Sequence, residues 1–284
     1  MSMQVCCVEP QSQQVELPPS DLDKMKTELF KIDLFMKKIE LGEGTEVTYA
    51  DLKTAITVVN EIILSVDNAN DFFKIGGFNQ LVPLLSYSDA EVVAAVAELI
   101  ADLCQNNKFC QSKSLDLNIM PQLVKLMDVH PDEKVCLKAL YALSCLCRNN
   151  DEAIKYLEIT NFLPVLLRLL QKPDEKLRTK AAFFLSCLAK YETLRESLFQ
   201  ADMISVLIRL LKERMDSSSE HLLGVLVAQV SQHKQSRIQC RKDEYELKNF
   251  LQQKIQFYTS KSEYDECKEH CLKILDICFH DEKK

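Results

Sequence analysis

Apolar residues first fall into register after Ser20, at Leu22, Met25, Leu29, Ile32, Met36 and Ile39. The alternating steps of three and four put them on one face of a helix, with Ser20 placed to cap it and Gly42 and Gly44 placed to stop it. Leu52, Ile56, Val59 and Ile63 predict a second helix from about Tyr49 to Val66. The pattern then repeats. Aliphatic segments close on Leu84-Leu85, Leu126-Met127, Leu169-Leu170 and Leu210-Leu211, at spacings of 42, 43 and 41 residues. Pro131-Asp132-Glu133-Lys134 returns as Pro173-Asp174-Glu175-Lys176, and a longer helical run follows each. Lys138-Ala-Leu-Tyr-Ala-Leu-Ser-Cys-Leu-Cys147 aligns with Lys180-Ala-Ala-Phe-Phe-Leu-Ser-Cys-Leu-Ala189. Near the end, Leu247, Phe250, Leu251, Ile255 and Tyr258 mark one helix, and Cys267, Cys271, Leu272, Ile274, Leu275, Cys278 and Phe279 mark another.

A period near 42 with two or three helices per unit predicts an all-α chain, an armadillo-like right-handed superhelical solenoid of about four repeats with helical caps. One unit cannot bury its apolar faces alone, whereas stacked units share a continuous core. The expected organisation is a disordered N-terminal arm over 1–19, N-terminal capping helices over 20–66, repeats over 67–235 and C-terminal capping helices over 236–284.

Composition narrows the function. Only 5 Gly and no Trp occur in 284 residues, and no G-x-x-x-x-G-K-[ST] loop is present, which disfavours a nucleotide-binding enzyme. Lys plus Arg is 35 and Asp plus Glu is 42, a net charge of −7 that disfavours nucleic acid or an anionic membrane as partner. No stretch reaches the roughly 18 uncharged apolar residues of a membrane helix, and residues 1–16 lack the basic and apolar regions of a signal peptide. The expectation is a cytoplasmic monomer whose twelve cysteines are reduced and mostly serve as small hydrophobes.

Helix periodicity also selects a binding face. Lys138, Tyr141, Cys145 and Arg148 share one stripe, while Leu140, Leu143 and Leu146 form the adjacent apolar stripe that must be core. The same register gives Lys180, Phe183 and Cys187 one unit later, His221, Gly224 and Ala228 after that, and Ala95, Glu98, Asp102 and Gln105 one unit earlier. Taken singly, each polar residue is compatible with a plain solvated face. Aromatic and cationic residues laid together along a groove suit a protein interface.

At this point the chain resembles the cytosolic armadillo-type nucleotide exchange factors of the seventy-kilodalton heat-shock chaperones, called heat-shock-protein-binding protein in animals and Fes in yeast. The resemblance runs from about residue 50 to 279. It is carried by Asp67-Asn68-Ala69-Asn70-Asp71-Phe72, Cys104-Gln105-Asn106-Asn107, the two aligned runs at Lys138 and Lys180, Glu220-His-Leu-Leu-Gly224 and Cys271-Leu-Lys-Ile-Leu-Asp-Ile-Cys-Phe279. It implies a clamp whose concave face embraces one lobe of the chaperone's ATPase domain, opens the nucleotide cleft and promotes ADP release, with no cofactor of its own. It implies contact roles for Asn68, Ala69 and Lys180; geometry alone adds Glu98, Lys138, Tyr141 and Phe183. Residues 1–48 do not match the client-release segment of family members.

Two other classes compete. A general armadillo adaptor would hold an extended peptide on a ladder of Asn and Trp, and here the ladder positions hold Tyr141, Phe183, Cys145 and Cys187. A metal site would draw on Cys267, His270, Cys271 and Cys278, but one helix supplies all four, whereas structural zinc usually takes ligands from two elements. The sequence therefore predicts a binding protein with neither catalytic residue nor metal.

Overall fold

The computed structural model describes residues 18–41 and 47–280. The predicted arm up to residue 17 and the glycine stop at Gly42 and Gly44 lie outside the described residues. Helix α1 (Asp21–Leu41) begins at Ser20, whose hydroxyl accepts the Asp23 N–H at 3.2 Å. Helix α2 (Tyr49–Ile62) starts in a reciprocal cap between Thr48 and Asp51. It ends four residues earlier than the sequence pattern suggests, because Ser65 caps a new helix there.

Three-helix units follow. The first holds α3 (Val66–Lys74), α4 (Gly77–Leu84) and α5 (Ala90–Cys104); the second α6 (Lys108–Asp116), α7 (Ile119–Val129) and α8 (Glu133–Cys147). The third holds α9 (Asp151–Glu158), α10 (Phe162–Leu169) and α11 (Glu175–Leu188); the fourth α12 (Glu192–Gln200), α13 (Met203–Glu213) and α14 (Ser219–Gln232). The expected C-terminal cap of two helices has the same three-part plan, with α15 (Lys234–Cys240), α16 (Leu247–Tyr258) and α17 (Asp265–Phe279). No strand occurs among the described residues.

The periodic polar residues make this plan. Asp89, Asp132 and Asp174 each cap a third helix, accepting backbone N–H groups at 2.9 Å from Glu91, 2.8 Å from Lys134 and 2.6 Å from Leu177. Asn107 and Asn150 cap two of the first helices, each accepting an N–H at 3.2 Å. A short polar acceptor satisfies donors that a helix start would otherwise strand. Corners between first and second helices use left-handed backbone at Gly76, Asn118 and Asp202, where glycine and asparagine-like residues are least strained. Gly77 is needed for packing, since an added Cβ would lie 2.3 Å from the Phe72 ring.

One continuous core threads the stack. Leu140, Leu143 and Leu146 are buried in it, as their stripe predicts. Two polar ties lie inside it, one joining the first and third helices of the second unit and one joining the third unit to the fourth. The Gln111 side chain donates to the carbonyls of Cys145 at 2.8 Å and Arg148 at 3.2 Å. Arg178, 8% exposed, pairs with Asp216 at 2.6 Å and donates to the carbonyls of Lys172 at 2.8 Å and Pro173 at 2.5 Å. Burial opposes ionisation of Asp216, but hydrogen bonds from Ser218 and Arg178 outweigh it and hold the carboxyl below its ordinary range.

Candidate partner-binding groove

Helix α2 and the third helices α5, α8, α11, α14 and α17 pack side by side in that order. Their outer edges form a ladder of polar and aromatic side chains. At the N-terminal end, the Tyr49 hydroxyl donates to Asp89 at 2.6 Å and Lys53 pairs with Glu91. Desolvation and the Asp89 hydrogen bond push the Tyr49 phenol up to about 12. Further along, Lys138 pairs with Glu98, and Tyr141 donates to Asp102 at 3.0 Å. Burial raises the Asp102 carboxyl above its ordinary value, ahead of the opposing hydrogen bond from Tyr141.

Between α8 and α11 lies a cavity of about 240 Å³ lined by Lys138, Tyr141, Ser144, Arg148, Lys176, Lys180, Phe183 and two leucines. Phe183 meets His221 edge-on with ring centroids 5.4 Å apart. Burial lowers the His221 imidazole below its ordinary value; Lys180 and His270 add to the shift, and Glu266 opposes it. Glu220 is raised by burial and by a hydrogen bond with the Glu266 carboxyl.

Five of the residues expected from sequence thus come together: Glu98 on α5, Lys138 and Tyr141 on α8, and Lys180 and Phe183 on α11. Two do not. Asn68 sits in the first turn of α3, where its amide is held by the Ile62 carbonyl at 2.8 Å and by Asp21 at 3.2 Å. Ala69 is 3% exposed, and the Cys110 thiol reaches its carbonyl at 3.6 Å. An alanine at that position presents no side-chain surface, because successive residues of one helix turn point about 100° apart and Ala69 is turned into the core. Cys145, assigned to the open stripe, is likewise buried at 1%. Ser144, Lys176 and Lys190 were not singled out from the sequence, although Lys176 stands one turn before Lys180 on the same face.

On α17, Cys267, Cys271 and Cys278 face the core while His270 turns toward Gly224, where an added Cβ would lie 3.3 Å from its Nε2. Among the described residues no three His, Cys, Asp or Glu side chains converge as a metal-ion site.

Comparison with known proteins adds a family. The sequence model of the SIL1/FES1/HPBP1 C-terminal domain matches residues 68–190, the stretch that holds α5, α8 and α11. Over this stretch the chain is similar to the SIL1/FES1/HPBP1 family. Hsp70-binding protein 1 of Mus musculus is 31% identical over 227 residues, covering 79% of this chain and 64% of that protein. The Homo sapiens protein of that name is 31% identical over the same length. The Hsp70 nucleotide exchange factor FES1 of Coccidioides immitis (strain RS) is 31% identical over 140 residues, covering 49% of this chain and 61% of that one. The chain therefore spans about 64% of the length of the mouse relative.

Solved structures agree on the fold. A designed armadillo repeat protein in complex with the peptide (KR)4 superposes with a TM-score of 0.73 at 18% identity, over 89% of this chain and 99% of that one. An engineered protein superposes with a TM-score of 0.72 at 21% identity, over 89% of this chain and 96% of that one. The described residues thus form an all-α armadillo-like solenoid. Among the described residues no helix is long and apolar enough to cross a membrane.

Proposed function

We propose that this chain is a cytoplasmic nucleotide exchange factor, a co-chaperone that binds the ATPase domain of a seventy-kilodalton heat-shock chaperone through its groove and promotes ADP release. The observation that carries the reading is the 31% identity over 227 residues to Hsp70-binding protein 1, a stretch covering 79% of this chain. The relatives' names supply the partner and the exchange activity. The groove supplies the grip: Glu98, Lys138, Tyr141, Lys180 and Phe183 stand on three consecutive ladder helices. Asn68 acts by holding the start of α3 in place.

The mechanism needs no catalysis, cofactor or second copy. A solenoid that fits the open ATPase domain better than the closed one shifts the balance toward the open state, by as much as the two affinities differ. An opened cleft releases ADP and admits ATP. Side-chain complementarity along the ladder is sufficient, so the protein functions as a monomeric binding partner and not as an enzyme.

The test is release of a fluorescent ADP analogue from a purified cytosolic heat-shock chaperone. Micromolar chain should accelerate it clearly. No acceleration by folded, helical protein would overturn the proposal.

A further inference from the structure

The cavity between α8 and α11 continues into a second one of about 290 Å³, and the two share Ser144 and Arg148. Together they form one trough along the seam. Its cations are Lys138, Arg148, Lys176, Lys180 and Lys190, and no Asp or Glu lines either part. In a chain with 42 acidic and 35 basic residues, a single-sign lining of this length is a marked departure from mixture. Lys138 is paired with Glu98, whereas Arg148, Lys176, Lys180 and Lys190 form no ion pair among the described residues. Ser144, 9% exposed, lies where the two cavities meet. Tyr141, Phe183 and Tyr191 provide aromatic walls.

We infer that this trough binds an extended acidic segment of a partner protein, a run of Asp and Glu side chains. Length decides between this ligand and a compact anion. From Lys176 to Lys190 the chain advances 14 positions along α11 and its end, roughly 20 Å at 1.5 Å per residue. One phosphoryl group cannot touch both ends, while about six residues of extended peptide can, at roughly 3.3 Å each. The walls suit the aliphatic stems of such side chains, and the cations suit their carboxylates. An acidic run also arrives extended, because its charges repel one another. The overall net charge of −7 disfavours nucleic acid as the occupant. The trough shares Lys138, Tyr141, Lys180 and Phe183 with the groove of the exchange reading, but its probe is a peptide and the chaperone is absent, so the two readings fail separately.

The experiment is a fluorescence-anisotropy titration of the full chain into a labelled peptide of eight glutamates, with a peptide of eight lysines as control. The glutamate peptide should bind saturably and weaken as salt rises, and the lysine peptide should not bind. Lys176→Glu with Lys180→Glu should weaken binding at least tenfold, and Lys190→Glu alone should weaken it severalfold. Circular dichroism checks that the variants stay helical; because all three lysines are exposed, they should. Absence of saturable binding at low salt would overturn the inference. So would equal binding by the variants, or inorganic polyphosphate binding there when the glutamate peptide does not.

Discussion

Tyr141 donates its hydroxyl to Asp102 at 3.0 Å, across the seam between α8 and α5 and across 39 positions of sequence. The bond fixes the register of two ladder helices beside the Lys138–Glu98 pair. Tyr141→Phe keeps the ring and removes the donor. The expected loss is about 1 kcal/mol, read as a lower urea midpoint at unchanged slope. An unchanged midpoint would show that water replaces the bond without loss.

Leu143 lies in the core at 0% exposure. Leu143→Ala should destabilise by about 2–5 kcal/mol, the cost of lost transfer energy plus a cavity. Equilibrium denaturation checks it, and a change below about 0.5 kcal/mol would mean that the α8 core stripe is rotated.

Ala69→Arg now tests folding, not contact. A long cation forced into closed packing is both overpacked and desolvated. The melting temperature should fall steeply. A variant that melts like the parent would place the side chain on an open surface after all.

Lys180→Glu separates the groove from the core. Lys180 is exposed, so stability should change little, while affinity for the chaperone's ATPase domain should drop and its salt dependence flatten. Calorimetry at two ionic strengths reads both. A slope equal to that of the parent would remove Lys180 from the interface.

His221 makes stability depend on pH. Its folded-state value lies below the ordinary 6.5 because the ring is buried near Lys180 and His270. Between that value and 6.5 the unfolded chain binds a proton that the folded chain does not, so stability falls as pH drops through this window. His221→Asn removes the effect. From about pH 7 to about pH 5.5, the range in which histidine titrates, the parent should lose more stability than the variant. Equal losses would mean that another group carries the dependence.

Much of this was legible in the sequence for a plain reason. Repeats must reuse the same caps, so Asp132 and Asp174 recur with the period of the fold and announce both helix starts. Core leucines recur likewise, since every unit buries the same face. The groove was harder to read. A helical stripe fixes direction only to within a residue, so Lys138 and Tyr141 reach the open face while Cys145, one turn beyond Tyr141, tips into the core. Ala69 was misplaced because a resemblance transfers position and not orientation. The cationic trough was invisible because Arg148, Lys176 and Lys190 come from different turns and meet only when α8 and α11 lie side by side.

The side-chain hydrogen bonds that join different units connect residues at most 47 positions apart, as in Gln239 to Ser205 and Asn68 to Asp21. Among the described residues none reaches further, so nothing fastens one end of the stack to the other. Mechanically the molecule is a coil spring. A small rotation at each seam adds up over the stack to a wide change in opening, at little strain per seam. Such a clasp can flex around a partner whose own lobes are moving, and small-angle scattering should find it taking a spread of curvatures in solution.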